Sequence, residues 1–164
     1  MVDASRRLFL RGKPTQEAPA APRPPWALSP DAAFTTACTR CGDCVRACPR
    51  TVLVVGDGGF PRIDFSQAGC SLCGDCSRAC TTGAIQATRP EPAFPWKVHV
   101  QAHCLARRGV ECRVCGEVCD ARALRFVPAL GGIAQLQVLA DRCTGCGDCQ
   151  PACPVQALEM ARVG

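Results

Sequence analysis

Residues 38–49 read CTRCGDCVRACP, and they place Cys38, Cys41, Cys44 and Cys48 in a C-x2-C-x2-C-x3-C run. The run returns at 70–80 as CSLCGDCSRAC, with Cys70, Cys73, Cys76 and Cys80. It returns again at 143–154 as CTGCGDCQPACP, with Cys143, Cys146, Cys149 and Cys153. A stretched version, CLARRGVECRVCGEVC, carries Cys104, Cys112, Cys115 and Cys119. These four groups use all 16 cysteines of the 164-residue chain. The fold therefore depends on what needs four neighbouring thiols, four times over.

Composition narrows the answer. Apolar residues make up 48% of the chain, cysteines included, yet there are only 6 Phe, 2 Trp and no Tyr. A core built from hydrophobic burial alone is marginal for pieces of about 60 residues, so the cysteines must help fill and staple the interior. A disulfide scaffold belongs to secreted chains. The sequence offers no export signal with an apolar central region, and cysteines two residues apart do not suit independent bridges. Structural zinc uses two well-separated C-x2-C knuckles, which is not this layout. Inert packing does not account for so many thiols.

The run resembles that of bacterial ferredoxins, where C-x2-C-x2-C wraps three corners of a [4Fe-4S] cube and the next cysteine ligates a different cube. The resemblance implies that all sixteen cysteines are iron ligands. It implies four [4Fe-4S] clusters, or three if the stretched third group, Cys104, Cys112, Cys115 and Cys119, is empty. Ferredoxin-like pairing would join Cys38, Cys41 and Cys44 with Cys80, and Cys70, Cys73 and Cys76 with Cys48. Likewise Cys104, Cys112 and Cys115 would join Cys153, and Cys143, Cys146 and Cys149 would join Cys119. Gly42, Gly74 and Gly147 would let backbone approach a cube or simply allow the turn. Asp43, Asp75 and Asp148 are expected to cap the helices that follow. Arg46 and Arg78 read as solvated positions, and His99 and His103 as surface residues on or beside a strand. The longer third loop costs little closure entropy; it is either a tolerated insertion or a docking surface built on Arg107 and Arg108.

A second repeat runs in step with the first. Val52-Leu53, Ala84-Ile85, Ala123-Leu124 and Ala157-Leu158 each follow a fourth cysteine by four and five residues. TVLVV-GDGG-FPRIDF and ALRFV-PALGG-IAQLQVL read as glycine-closed hairpins, and KVHVQ reads as a strand before Cys104. The fold class is α+β: two tandem bacterial-type ferredoxin-like modules with short helices and small β-hairpins. The expected division is a mobile N-terminal arm at 1–30, a first module at 31–89, a Pro-rich linker at 90–95 and a second module at 96–164. Pro90, Pro92 and Pro95 make that linker stiff and extended.

The formal charge of +5 counts the cysteines as neutral. Four cubes, each near −2 with its thiolates, would bring the loaded protein to about −3. The basic balance is thus no sign of nucleic-acid binding. The head, SRRLFLRG at 5–12, resembles a twin-arginine signal, but GKPTQEAPAAPRPP follows where an apolar stretch is needed, so the chain is read as not exported. The head is either a disordered basic tail or a docking arm with Leu8, Phe9 and Leu10 as anchors among Arg6, Arg7 and Arg11.

With the head, three regular groups and one stretched group, the sequence resembles the NapF family, ferredoxin-type proteins of periplasmic nitrate reductase systems. Thr81 and Asp120 stand where proline follows the fourth cysteine at Pro49 and Pro154. The resemblance implies a cytoplasmic protein that meets the precursor of the catalytic subunit NapA and assists its acquisition of an iron–sulfur cluster before export. The alternative is an electron-transfer subunit or carrier for a redox complex. Nothing resembles a nucleophile–base constellation or a phosphate loop, so an enzyme is not expected, nor is stable membrane insertion.

Overall fold

The structure, a computed structural model, describes residues 22–88, 92–129 and 132–162. The head at 5–12 and its docking reading lie outside the described residues.

In the first half, helix α1 (Asp31–Ala37) leads into the one-turn helix α2 (Asp43–Arg46). Strands β1 (Leu53–Val55) and β2 (Pro61–Ile63) follow, then the one-turn helix α3 (Asp75–Arg78). In the second half come β3 (Trp96–Val100), α4 (Val114–Glu117), β4 (Leu124–Val127), β5 (Gln135–Val138), α5 (Cys149–Ala152) and β6 (Leu158–Arg162). Each half holds one antiparallel hairpin where the sequence places it. Leu53 faces Ile63 across β1–β2, and Leu124 faces Val138 across β4–β5. In the first hairpin the GDGG stretch makes the turn, with Gly58 and Gly59 in the left-handed region, which a side chain would resist.

The repeat after each fourth cysteine is the floor of both cores. Val52, Leu53, Ala84, Ile85, Ala123, Leu124, Ala157 and Leu158 are all nearly inaccessible. Their position one turn after a cysteine brings apolar side chains under the thiol sets, where they exclude water.

Two boundaries differ from expectation. Residues 22–30, assigned to the arm, are built into the first half. Pro22 accepts a hydrogen bond from the Ile63 amide at 2.8 Å, and Ala27 bridges antiparallel to Ile85. Pro25 is fully buried. The segment looks like a linker by composition, but proline is compatible with an edge position whose donor is not needed. Residues 92–95, assigned to the linker, are also packed. Ala93 accepts from the Trp26 amide at 2.8 Å, and Phe94 is 1% exposed and stacked on Trp96 at 4.8 Å. Phe65 meets both rings edge-on at 6.0 and 6.4 Å. This aromatic slab joins the halves: Trp96 begins β3 of the second half yet belongs to the core of the first. Met160 on β6 packs against both cores.

Candidate metal centre

Each cysteine group is held by the same local device. The third cysteine sits on a one-turn helix: Cys44 on α2, Cys76 on α3, Cys115 on α4 and Cys149 on α5, all four buried. The first cysteine lies ahead of that helix, Cys38 directly after α1 and Cys143 directly after a 3-10 turn at Ala140–Arg142, and the second lies on the loop between them. In the first two groups the loop ends at Gly42 and Gly74, both at φ 78°. The helices then begin without any side-chain cap. Asp43 and Asp75, expected as caps, pair instead with Arg46 and Arg78 three residues on. These arginines also donate to the Cys41 and Cys73 carbonyls at 3.2 and 3.1 Å. They are braces across the cysteine loops, where the sequence suggested plain solvated positions. His99 is exposed on β3, and the exposed His103 lies within 3.1 Å of the Val155 carbonyl through Nε2.

The thiols gather crosswise. Cys38, Cys41 and Cys44 line one cavity with Cys80, under Phe34 and Ile85. Cys70, Cys73 and Cys76 line a second with Cys48, over Val52 and Leu53. Cys143, Cys146 and Cys149 line a third with Cys119, beside Val98 and Leu124. The fourth set comprises Cys104, Cys112, Cys115 and Cys153: after burial itself, the first three neighbours that press on the Cys115 thiol are the other three. The stretched loop returns Cys112 to this set by coiling. Ala106–Arg108 form a 3-10 turn closed by Gly109 in the left-handed region, and Arg107 donates to the Val100 carbonyl at 2.6 Å. The third group has Arg113 and Val114 where the others have Gly and Asp, so it lacks the brace of the first two groups.

Charge and hydrogen bonding in these sets suit a bound cation cluster. Burial, and then the neighbouring thiols, push Cys44 and Cys115 up to about 11 and Cys76 and Cys149 up to about 12. Four thiolates cannot share such a cavity without positive charge among them. Backbone amides already point at sulfur: Leu72 at Cys70 (3.4 Å), Val98 at Cys143 (3.4 Å), Ala123 at Cys119 (3.3 Å) and Ala157 at Cys153 (3.2 Å). Among the described residues no three Cys, His, Asp or Glu groups converge tightly enough for one metal ion. The sets are thiolate-only and spread around cavities, a donor set that fits [4Fe-4S] ligation.

Sequence reasoning missed the groups that join the halves. Asp148 accepts from Arg50 Nη2 at 2.6 Å and from the Gly69 amide at 3.1 Å. Arg50 Nε donates to the Gly69 carbonyl at 3.2 Å, and the Cys70 amide donates to the Cys146 carbonyl at 2.7 Å. One signal was present. Asp43 and Asp75 have arginine three residues on, whereas Asp148 has Pro151, which leaves its carboxylate free for another partner.

Comparison with known proteins agrees with the geometry. A family described as "4Fe-4S dicluster domain" matches residues 37–84 and 109–157. The chain is 45% identical over 140 residues to the ferredoxin-type protein NapF of Haemophilus influenzae, covering 84% of this chain and 77% of that one. It is 39% identical over 157 residues to NapF of Escherichia coli (strain K12), covering 96% and 94%. It is 34% identical over 150 residues to the methylamine utilization ferredoxin-type protein MauM of Methylophilus methylotrophus, covering 80% and 65%. The second family match begins after Cys104, where the stretched loop departs from the regular spacing. Two dicluster segments, and likeness over nearly the whole length to NapF proteins, show that this chain belongs to the 4Fe-4S dicluster family, among its NapF ferredoxin-type members.

Proposed function

We propose that the chain binds four [4Fe-4S] clusters, one per crosswise thiol set, and works as an electron relay in the cytoplasm. The observation that carries this reading is the meeting of thiol sets from both halves in one packed body, joined by the Cys70–Cys146 hydrogen bond. When bound, each cluster supplies a one-electron couple. The protein's own residues do the rest. The helices α2 to α5 hold the third thiols, the amides at Leu72, Val98, Ala123 and Ala157 stabilise sulfur charge, and the apolar floor keeps water out. Among the described residues no helix is long and apolar enough to cross a membrane. Anaerobically purified protein is expected to contain iron and acid-labile sulfide in equal amounts, about sixteen of each per chain. A value near twelve would mean that the Cys104 set is empty. Stoichiometric zinc without sulfide would overturn the reading. The ligand pairing is checked by Cys48→Ala, which should disturb the cube of the Cys70 set and spare that of the Cys38 set.

The client is the second half of the proposal. The likeness to NapF favours the cytoplasmic precursor of NapA as partner, with this chain assisting its acquisition of an iron–sulfur cluster before export. A strain lacking the chain would then accumulate a reductase deficient in its cluster, inactive even with artificial electron donors. The alternative is a carrier that only delivers electrons; the likeness to MauM, a ferredoxin-type protein of methylamine utilization, favours this plainer role. In that case the reductase would be fully assembled, and artificial donors would restore its activity.

A further inference from the structure

Among the described residues, the hydrogen bonds that join the Cys70 and Cys146 loops form a polar junction between two cysteine sets. Arg50 follows Cys48 by two residues, so it stands beside the set of Cys48, Cys70, Cys73 and Cys76. Gly69 precedes Cys70 directly. On the other side, Asp148 lies between Cys146 and Cys149, inside the set of Cys119, Cys143, Cys146 and Cys149. Two glycines let these loops touch. A Cβ on Gly69 would lie 2.3 Å from the Asp148 amide nitrogen, and a Cβ on Gly147 would lie 2.5 Å from the Phe65 ring. Backbone cannot approach so closely with any side chain present. The contact is also specific to the fourth group. The aspartates of the first two groups are held by their own arginines, and Pro151 removes that local partner from Asp148.

Packing within each half fixes the rest of the order. Helices α2 and α3 pack together, which sets Cys44 of the Cys38 set near Cys76 of the Cys70 set; α4 and α5 do the same for Cys115 and Cys149. We propose that the Arg50–Asp148–Gly69 contact is an inter-module lock that holds the Cys70 and Cys143 thiol sets together. The four sets then form one continuous series: Cys38, Cys70, Cys143, Cys104. Spatial order departs from sequence order, because the fourth group is internal and the stretched third group stands at one end. Arg107 and Arg108 therefore flank a terminus of the series, where a partner can reach it. Asp148 and Arg50 are positioning residues, since neither need touch a cluster. This inference rests on the four-cluster reading above.

The test compares the anaerobically purified full chain with its Asp148→Ala and Arg50→Ala variants by three readouts. These are iron and sulfide content, amide hydrogen exchange, and electron paramagnetic resonance of the dithionite-reduced protein. With the lock broken, the Gly69 and Cys70 amides should exchange on the order of tenfold faster, while amides of β3 and β6 keep their protection. The magnetic interaction that broadens the reduced spectrum, compared per bound iron, should weaken. Unchanged exchange at Gly69 and Cys70 in both variants would overturn the lock. Faster exchange with an unaltered spectrum would overturn its part in joining the series. If either variant loses iron, because Asp148 neighbours Cys149 and Arg50 lines the cavity of the Cys70 set, Arg50→Lys decides: it keeps the positive charge but loses the fork that spans Gly69 and Asp148. Low iron in the native chain would instead defeat the four-cluster reading, and the exchange result would still be read by itself.

Discussion

In the second half the outer strands β3 and β6 pair over five residues, from Trp96–Arg162 to Val100–Leu158. In the first half the corresponding closure is a single bridge, Ala27 to Ile85. Apart from the stretched loop after Cys104, each half carries the same cysteine runs, so those runs do not dictate how a module is closed. The first half makes up the difference with side chains. Phe34 on α1 is fully buried, and the Arg23 guanidinium lies 5.0 and 5.3 Å from the Phe34 and Phe60 rings while its Nε donates to Asp31 at 2.5 Å. A ladder of backbone bonds has been replaced by an aromatic–cation cluster.

The sharpest way to break the comparison is to cut the chain. Deleting residues 1–21 should leave iron content and visible absorbance intact, whereas deleting 1–30 should remove Pro25, Trp26 and the Ala27 bridge. We expect the longer deletion to lose about half the iron, that of the first module, because folding and metal binding are coupled. Equal iron in the two truncations would show that the first half closes without this segment. Next in size is Phe34→Ala, which should cost about 3–5 kcal/mol in anaerobic chemical denaturation. Absorbance of the first module should bleach before that of the second.

Trp96→Phe keeps the slab but removes the indole N–H that donates to the Gly145 carbonyl at 3.0 Å. Leaving that buried acceptor without a partner should cost about 1–3 kcal/mol. Both modules should feel it, because Trp96 serves both. The smallest effect is expected for Arg78→Ala. The Arg78–Asp75 pair is exposed and spans one helical turn, so a stability change within about 0.5 kcal/mol is anticipated. A much larger loss would mean that the brace on the Cys73 carbonyl controls cluster retention.

The parts of this fold that were legible in the sequence are those whose signal is local. The glycine-closed hairpins and the Val52-Leu53 type of repeat announce themselves by spacing, because the contacts they make are near in sequence or repeated. Residues 22–30 and 92–95 were misread because both segments are proline-rich and look like spacers. Pro25 lies with Val52 and Leu53 beside the Cys70 set, and Phe94 packs on Phe65 and Trp96, contacts that no window of composition contains. The aspartate caps failed for a related reason. Aspartate before a helix ordinarily caps it, but glycine already occupies the capping position at Gly42 and Gly74, and an arginine three residues on competes for the carboxylate. Asp148 was readable only by comparing groups, through the proline that replaces that arginine.

The aromatic slab has a consequence for biosynthesis. A chain leaves the ribosome N-terminus first, and domains generally fold as units in that order. Here Phe94 and Trp96, which complete the hydrophobic core around Phe65, are translated well after Cys80, the last thiol of the first module. The nascent first module therefore has all eight of its thiols while its core is still open. Cluster insertion during translation must either precede that closure or wait for the start of β3.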